Sequence, residues 1–95
     1  MDDRERILAA HYGLRHQLEK AQEELRELNT AILKYLASPT SKTREAVIEE
    51  IVDCDILFDQ LTHLLAVRPG EVGLYRDFKI NRQLVRIGET GYVKQ

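Results

Sequence analysis

Six acidic side chains fall in two five-residue runs, Glu23-Glu24-Leu25-Arg26-Glu27 and Glu49-Glu50-Ile51-Val52-Asp53. Acids three or four positions apart share one face of a helix, so Glu24 with Glu27, and Glu50 with Asp53, each aim two carboxylates in one direction. One such pair is ordinary helix surface, and the first run taken alone reads as a solvated face. Two pairs facing each other would make an all-oxygen site, which suits a hard cation such as Mg²⁺, Mn²⁺ or Ca²⁺. Mg²⁺ held by few carboxylates and several waters is the usual partner of a phosphate substrate.

The elements that must position these acids are helices. Asp2 or Asp3 can cap a helix over 4–12, with Gly13 as its stop or kink. Leu14, Leu18, Ala21, Leu25, Leu28, Ile32 and Leu36 recur at three- and four-residue spacings and predict a helix over 14–37. Ser38-Pro39-Thr40-Ser41 is a turn, with Ser41 or Thr43 as the next cap. A third helix follows over 42–67. After Arg68-Pro69-Gly70 comes a fourth over 71–87, with Tyr75, Phe78 and Val85 along one side. Gly88 ends it, and 89–95 reads as a loose tail. The expected architecture is all-α: a small antiparallel bundle of about four helices in a single domain over 1–95.

The turn sets the register. Residues equally far from a centre near 38 and 39 lie opposite each other in an antiparallel pair, so Glu27 meets Glu50 and Glu24 meets Asp53. All four acids then converge at one level. Glu50 and Asp53 also share a stripe with Ala46, Leu57, Leu61 and Leu64, so they interrupt an apolar face. Carboxylates taken out of water need a compensating cation.

The helix over 42–67 carries a second signal. Val47, Ile51, Cys54, Phe58, Leu61 and Leu65 form one apolar arc, while Ile48, Val52 and Ile56 lie on a different side. A helix apolar around much of its circumference is buried on several sides. Four short helices cannot surround it, whereas a second subunit can. A homo-oligomer, a homodimer at least, is therefore expected.

Composition narrows the classes. The chain has 95 residues, 43% hydrophobic and 32% charged, with a net charge of −2. This is a globular composition without the basic run that tracks nucleic acid. No apolar stretch approaches the roughly 20 residues of a membrane span, and Met1-Asp2-Asp3-Arg4-Glu5-Arg6 does not resemble a secretory leader. Neither nucleic acid nor membrane is an expected partner, and the expected location is cytoplasmic. Cys54 is the lone cysteine and sits on the apolar arc, where it packs as a small hydrophobe. A carboxylate-bridged di-iron bundle would need Glu-x-x-His pairs. His11, His16 and His63 follow no Glu at that spacing. Nor is there a Walker-type or dinucleotide-binding glycine pattern.

Glu23-Glu24-x-x-Glu27, followed after 22 residues by Glu50-x-x-Asp53, resembles the E-x-x-E…E-x-x-D signature of the MazG-like all-α NTP pyrophosphohydrolase superfamily. Tyr12-Gly13-x-x-x-Gln17-Leu18 is similar to the lead-in to its first motif. Residues Glu49 to Ile56, then Gln60-Leu61, resemble the second motif helix of short bacterial and phage members. Lys79-x-x-Arg82 with Arg86-Ile87 resembles their final helix. The resemblance implies a Mg²⁺-dependent enzyme, with Mn²⁺ as a substitute, that hydrolyses a nucleoside triphosphate to the monophosphate and pyrophosphate by a metal-activated water. The implied ligands are Glu24, Glu27, Glu50 and Asp53, with Glu23 as an outer-shell acid or general base.

Lys79 and Arg82, three apart, can meet phosphate oxygens. Lys20 shares the stripe of Glu24 and Glu27 and is a further phosphate candidate. Gln17, one turn on, is a candidate for ribose or base. Two alternatives stand beside this expectation: a non-enzymatic helical dimer that keeps a structural cation, and another reaction of the superfamily such as phosphoribosyl-ATP hydrolysis.

Overall fold

The computed structural model describes residues 1–89 and 91. These form three α-helices and no strand: α1 (Asp3–Ala37), α2 (Ser41–Leu64) and α3 (Glu71–Arg86). The expected four helices are thus three, because Gly13 kinks α1 instead of ending it. Gly13 has φ 80° and ψ 170°, a region open in practice to glycine alone. The helical path bends there and then resumes. The expected loose tail over 89–95 falls mainly outside the described residues.

The ends of the helices follow local chemistry. Asp2 caps α1: its carboxylate accepts from the Arg4 N–H, and the Glu5 side chain reaches back to the Asp2 N–H. Hydrogen bonds from the Arg4 side chain and backbone hold the Asp2 carboxyl down to about 2. Thr40, one residue before the expected Ser41, caps α2 and exchanges hydrogen bonds with Thr43. Two helix ends share a left-handed closing turn. Gly88 closes α3 at φ 83°, and Ala66 closes α2 at φ 53°. In each, the next N–H reaches back five residues, Val67 to the Thr62 carbonyl and Glu89 to that of Leu84.

α1 and α2 pack as an antiparallel pair joined by Ser38-Pro39-Thr40. Their interface holds Ala21, Ala31, Cys54 and Leu57, all buried, with Leu28, Ala46, Val47, Leu61 and Leu64 half-buried. Three polar side chains are buried there as well: Gln17, Glu24 and Gln60. Small residues let the helices approach closely, and the face of α2 turned to α1 is the acid-bearing stripe of Ala46, Glu50, Leu57, Leu61 and Leu64. The expected main arc is split. Its Val47, Cys54 and Leu61 face inward, while Ile51, Phe58 and Leu65 are exposed. Ile48, Val52 and Ile56 are exposed as well.

α3 does not close the bundle. It packs against neither α1 nor α2 and has no buried residue. Val72, Leu74, Tyr75, Phe78 and Val85 are exposed along it. The described chain is accordingly flat, 44 × 41 × 20 Å. No described helix is long and apolar enough to cross a membrane.

Candidate functional site

The antiparallel register brings Glu24, Glu27 and Glu50 together. One carboxylate oxygen from each lies within 4.8 Å of the other two. Glu24 is buried, Glu50 half-buried and Glu27 exposed at the rim. Helix spacing supplies the Glu24–Glu27 pair, and the turn carries Glu50 across to it. Asp53, the fourth expected ligand, is exposed and lines a cleft beside the triad together with Glu23 and Glu24.

The triad is short of positive charge. Lys20 is its direct cation among the described residues, with Nζ 3.3 Å from Glu24 and 3.5 Å from Glu23. Glu24 Oε2 and Glu50 Oε2 are sealed from solvent and have no hydrogen-bond partner. Such orphaned acceptors are rare in native proteins and call for a bound ion or a proton. The negative charge on Glu24 and then burial push the Glu27 carboxyl above the ordinary glutamate range. Burial comes first for Glu50, followed by its pairing with Glu24 and the charges of Glu27 and Asp53, and the direction is again upward. Behind the cluster, burial and then the same carboxylates raise the Cys54 thiol, which keeps it protonated and unreactive. The donor set is all oxygen and closely spaced, and two of its oxygens lack a partner. It therefore fits a hard divalent cation.

Two hollows flank the triad. Towards the Gly13 kink, a cleft of about 480 Å³ is lined by Tyr12, His16, Gln17, Lys20, Glu23, Glu24, Asp53, Ile56, Leu57 and Gln60. Towards the turn, a hollow of about 360 Å³ lies between Glu27, Glu49 and Glu50 and the basic side chains of Arg26 and Lys34. The structure thus places Glu23 and Lys20 beside the acids, and Gln17 further along the same cleft. It does not bring Lys79 and Arg82 there within one chain, because they lie on the unpacked α3. Arg82 instead sits over the Phe78 ring, 5.7 Å from its centre.

Residue types alone did not single out Gln60, Arg26 or Lys34. Gln60 is 2% exposed and accepts a 2.6 Å hydrogen bond from Gln17 Nε2 across the helix pair. The register that matches Glu27 with Glu50 also matches Gln17 with Gln60, three turns further from the loop. That pairing was available as a signal. Lys34 was available too, since it lies seven residues after Glu27 on the same stripe. Compared with known proteins, the chain matches no protein-family model, no curated protein and no solved structure.

Proposed function

We propose that the chain is a Mg²⁺-dependent nucleoside triphosphate pyrophosphohydrolase of the MazG-like kind. The observation that carries this reading is the Glu24–Glu27–Glu50 triad with its two orphaned buried oxygens. A purely structural dimer has no need of three converging carboxylates, and their unmet charge suits a cation that arrives with a phosphate substrate. The order of the acidic motifs along the chain supports the same reading.

Glu24, Glu27 and Glu50 would hold the ion, with Asp53 completing the set from the cleft side. A hard divalent cation supplies phosphoanhydride hydrolysis with a nucleophilic water at neutral pH and with neutralisation of phosphate charge. The remaining work falls to the chain. Glu23, exposed on the cleft rim, takes the proton released when water attacks. Lys20 meets phosphate oxygens once its neighbouring carboxylates are neutralised. Arg26 and Lys34 give the second hollow its affinity for a phosphate group. Lys79 and Arg82 add to this only from another chain, so the proposed enzyme is a homodimer or a dimer of dimers.

Pyrophosphate release from a panel of ribo- and deoxynucleoside triphosphates with Mg²⁺ tests the reading. Release by the wild type, lost in Glu50→Gln with the helical spectrum intact, is the expected result. Absence of release across the whole panel would remove the enzyme and leave the non-enzymatic helical module.

A further inference from the structure

The far end of the 480 Å³ cleft contains a built polar site that the hydrolytic chemistry does not use. Gln17 is 4% exposed and Gln60 is 2% exposed. Burying two primary amides in a small helical pair is unfavourable unless their hydrogen bonds are made. A directional chain of bonds runs through them. Gln17 Oε1 can only accept, so His16 Nδ1 donates to it at 2.7 Å. Gln17 Nε2 then donates to Gln60 Oε1 at 2.6 Å. The chain ends at Gln60 Nε2, which donates to no group among the described residues, although Gln60 lines the cleft. Gln60, a buried residue, is thus held with its acceptor side occupied and its donor side open to the cleft.

Aromatic surface stands beside it. The Tyr12 and His16 rings stack with centroids 4.5 Å apart and planes 16° from parallel, and both residues are exposed. The Gly13 kink separates them in sequence. From His16 to Glu24, α1 rises about 12 Å, with Lys20 midway between the rings and the acids. The cleft therefore passes from carboxylates through a cation to buried amides and stacked rings. A nucleotide presents its groups in that order: phosphates, sugar, base.

Resting on the proposed nucleotide chemistry of the triad, we infer that the kink end of the cleft is a nucleobase pocket. In it, a base stacks on the Tyr12–His16 pair, and Gln60 Nε2 donates to a carbonyl oxygen of that base. Uracil, thymine, cytosine and guanine carry such an oxygen and adenine does not, so the pocket selects against adenine.

Calorimetric titration of the full chain with UMP, GMP and AMP in the presence of Mg²⁺ tests this. UMP and GMP should bind more tightly than AMP by on the order of tenfold, the value of one uncharged hydrogen bond. Gln60→Met should erase that difference. Tyr12→Leu, at an exposed position that does not threaten the fold, should weaken all three by roughly tenfold through lost stacking. Equal binding of the three by the wild type, or binding of none at millimolar concentration, overturns the pocket even if Gln60→Met fails to fold. So does unchanged binding in Tyr12→Leu. Pyrophosphate release from UTP, GTP and ATP separates the two claims. Selective binding without release keeps the pocket and removes the hydrolase, and release with unselective binding does the reverse.

Discussion

Glu24 has one oxygen paired with Lys20 and the other with no partner, and two more glutamates stand within 4.8 Å. The consequence for stability has a definite sign. Glu27 and Glu50 hold their protons more tightly in the fold than in the unfolded chain. Their contribution is therefore fully present below the ordinary glutamate pKa and is lost as pH rises through the raised values. In the presence of chelator, Glu50→Gln should melt at a higher temperature than the wild type at neutral pH, and the gap should close in the acid range. Mg²⁺ should raise the wild-type midpoint and leave the variant nearly unchanged. Melting curves at several pH values check both, and a gap independent of pH would mean that the three carboxylates do not interact as described.

Two backbone positions of opposite character test the elements. Gly13 bends α1 with a conformation that other residues avoid, and a Cβ added there would touch nothing. The cost of Gly13→Ala is thus torsional, about 1–3 kcal/mol, and denaturant unfolding should show it. The same change should loosen the Tyr12–His16 stack, because the kink sets their approach. Ala66 is the reverse case, a residue with a Cβ at φ 53° in the closing turn of α2. Ala66→Gly should stabilise the chain by up to about 1 kcal/mol. A loss of stability there would mean that the turn is held by something other than its backbone hydrogen bonds.

At the scale of the whole molecule, α3 is the anomaly. An isolated helix of 16 residues is marginal in water, and this one exposes Leu74, Tyr75 and Phe78. α2 exposes Ile48, Ile51, Val52 and Phe58 as well. A two-fold contact that covers these surfaces would account for both. Light scattering at micromolar concentration should give twice the 11.0 kDa chain mass or more, and a monomer mass would remove the assembly. If Lys79 and Arg82 act from a partner chain, mixing Glu50→Gln with a Lys79→Ala/Arg82→Ala variant should restore about a quarter of wild-type activity, since each mixed dimer regains one intact site. Two inactive variants that stay inactive together would place those cations outside the site.

Much of the candidate site was legible without coordinates. The 3.6-residue period and the turn at Pro39 determined that α1 and α2 run antiparallel. Their register then determined that Glu24, Glu27 and Glu50 meet, because side chains equally far from a tight turn have few other places to go. Local chemistry at Asp2 and Gly88 likewise marked where helices begin and end. Tertiary structure decided what depends on rotation and on partners. It put the acid-bearing stripe of α2 against α1 and turned Phe58 and Ile51 outward, because small residues at Ala21 and Ala31 favour close approach on that side. It buried Gln17 against Gln60, which residue type alone would leave in water. It also left α3 packed against neither helix, with Leu74, Tyr75 and Phe78 exposed, because covering that face depends on a partner surface and not on local sequence.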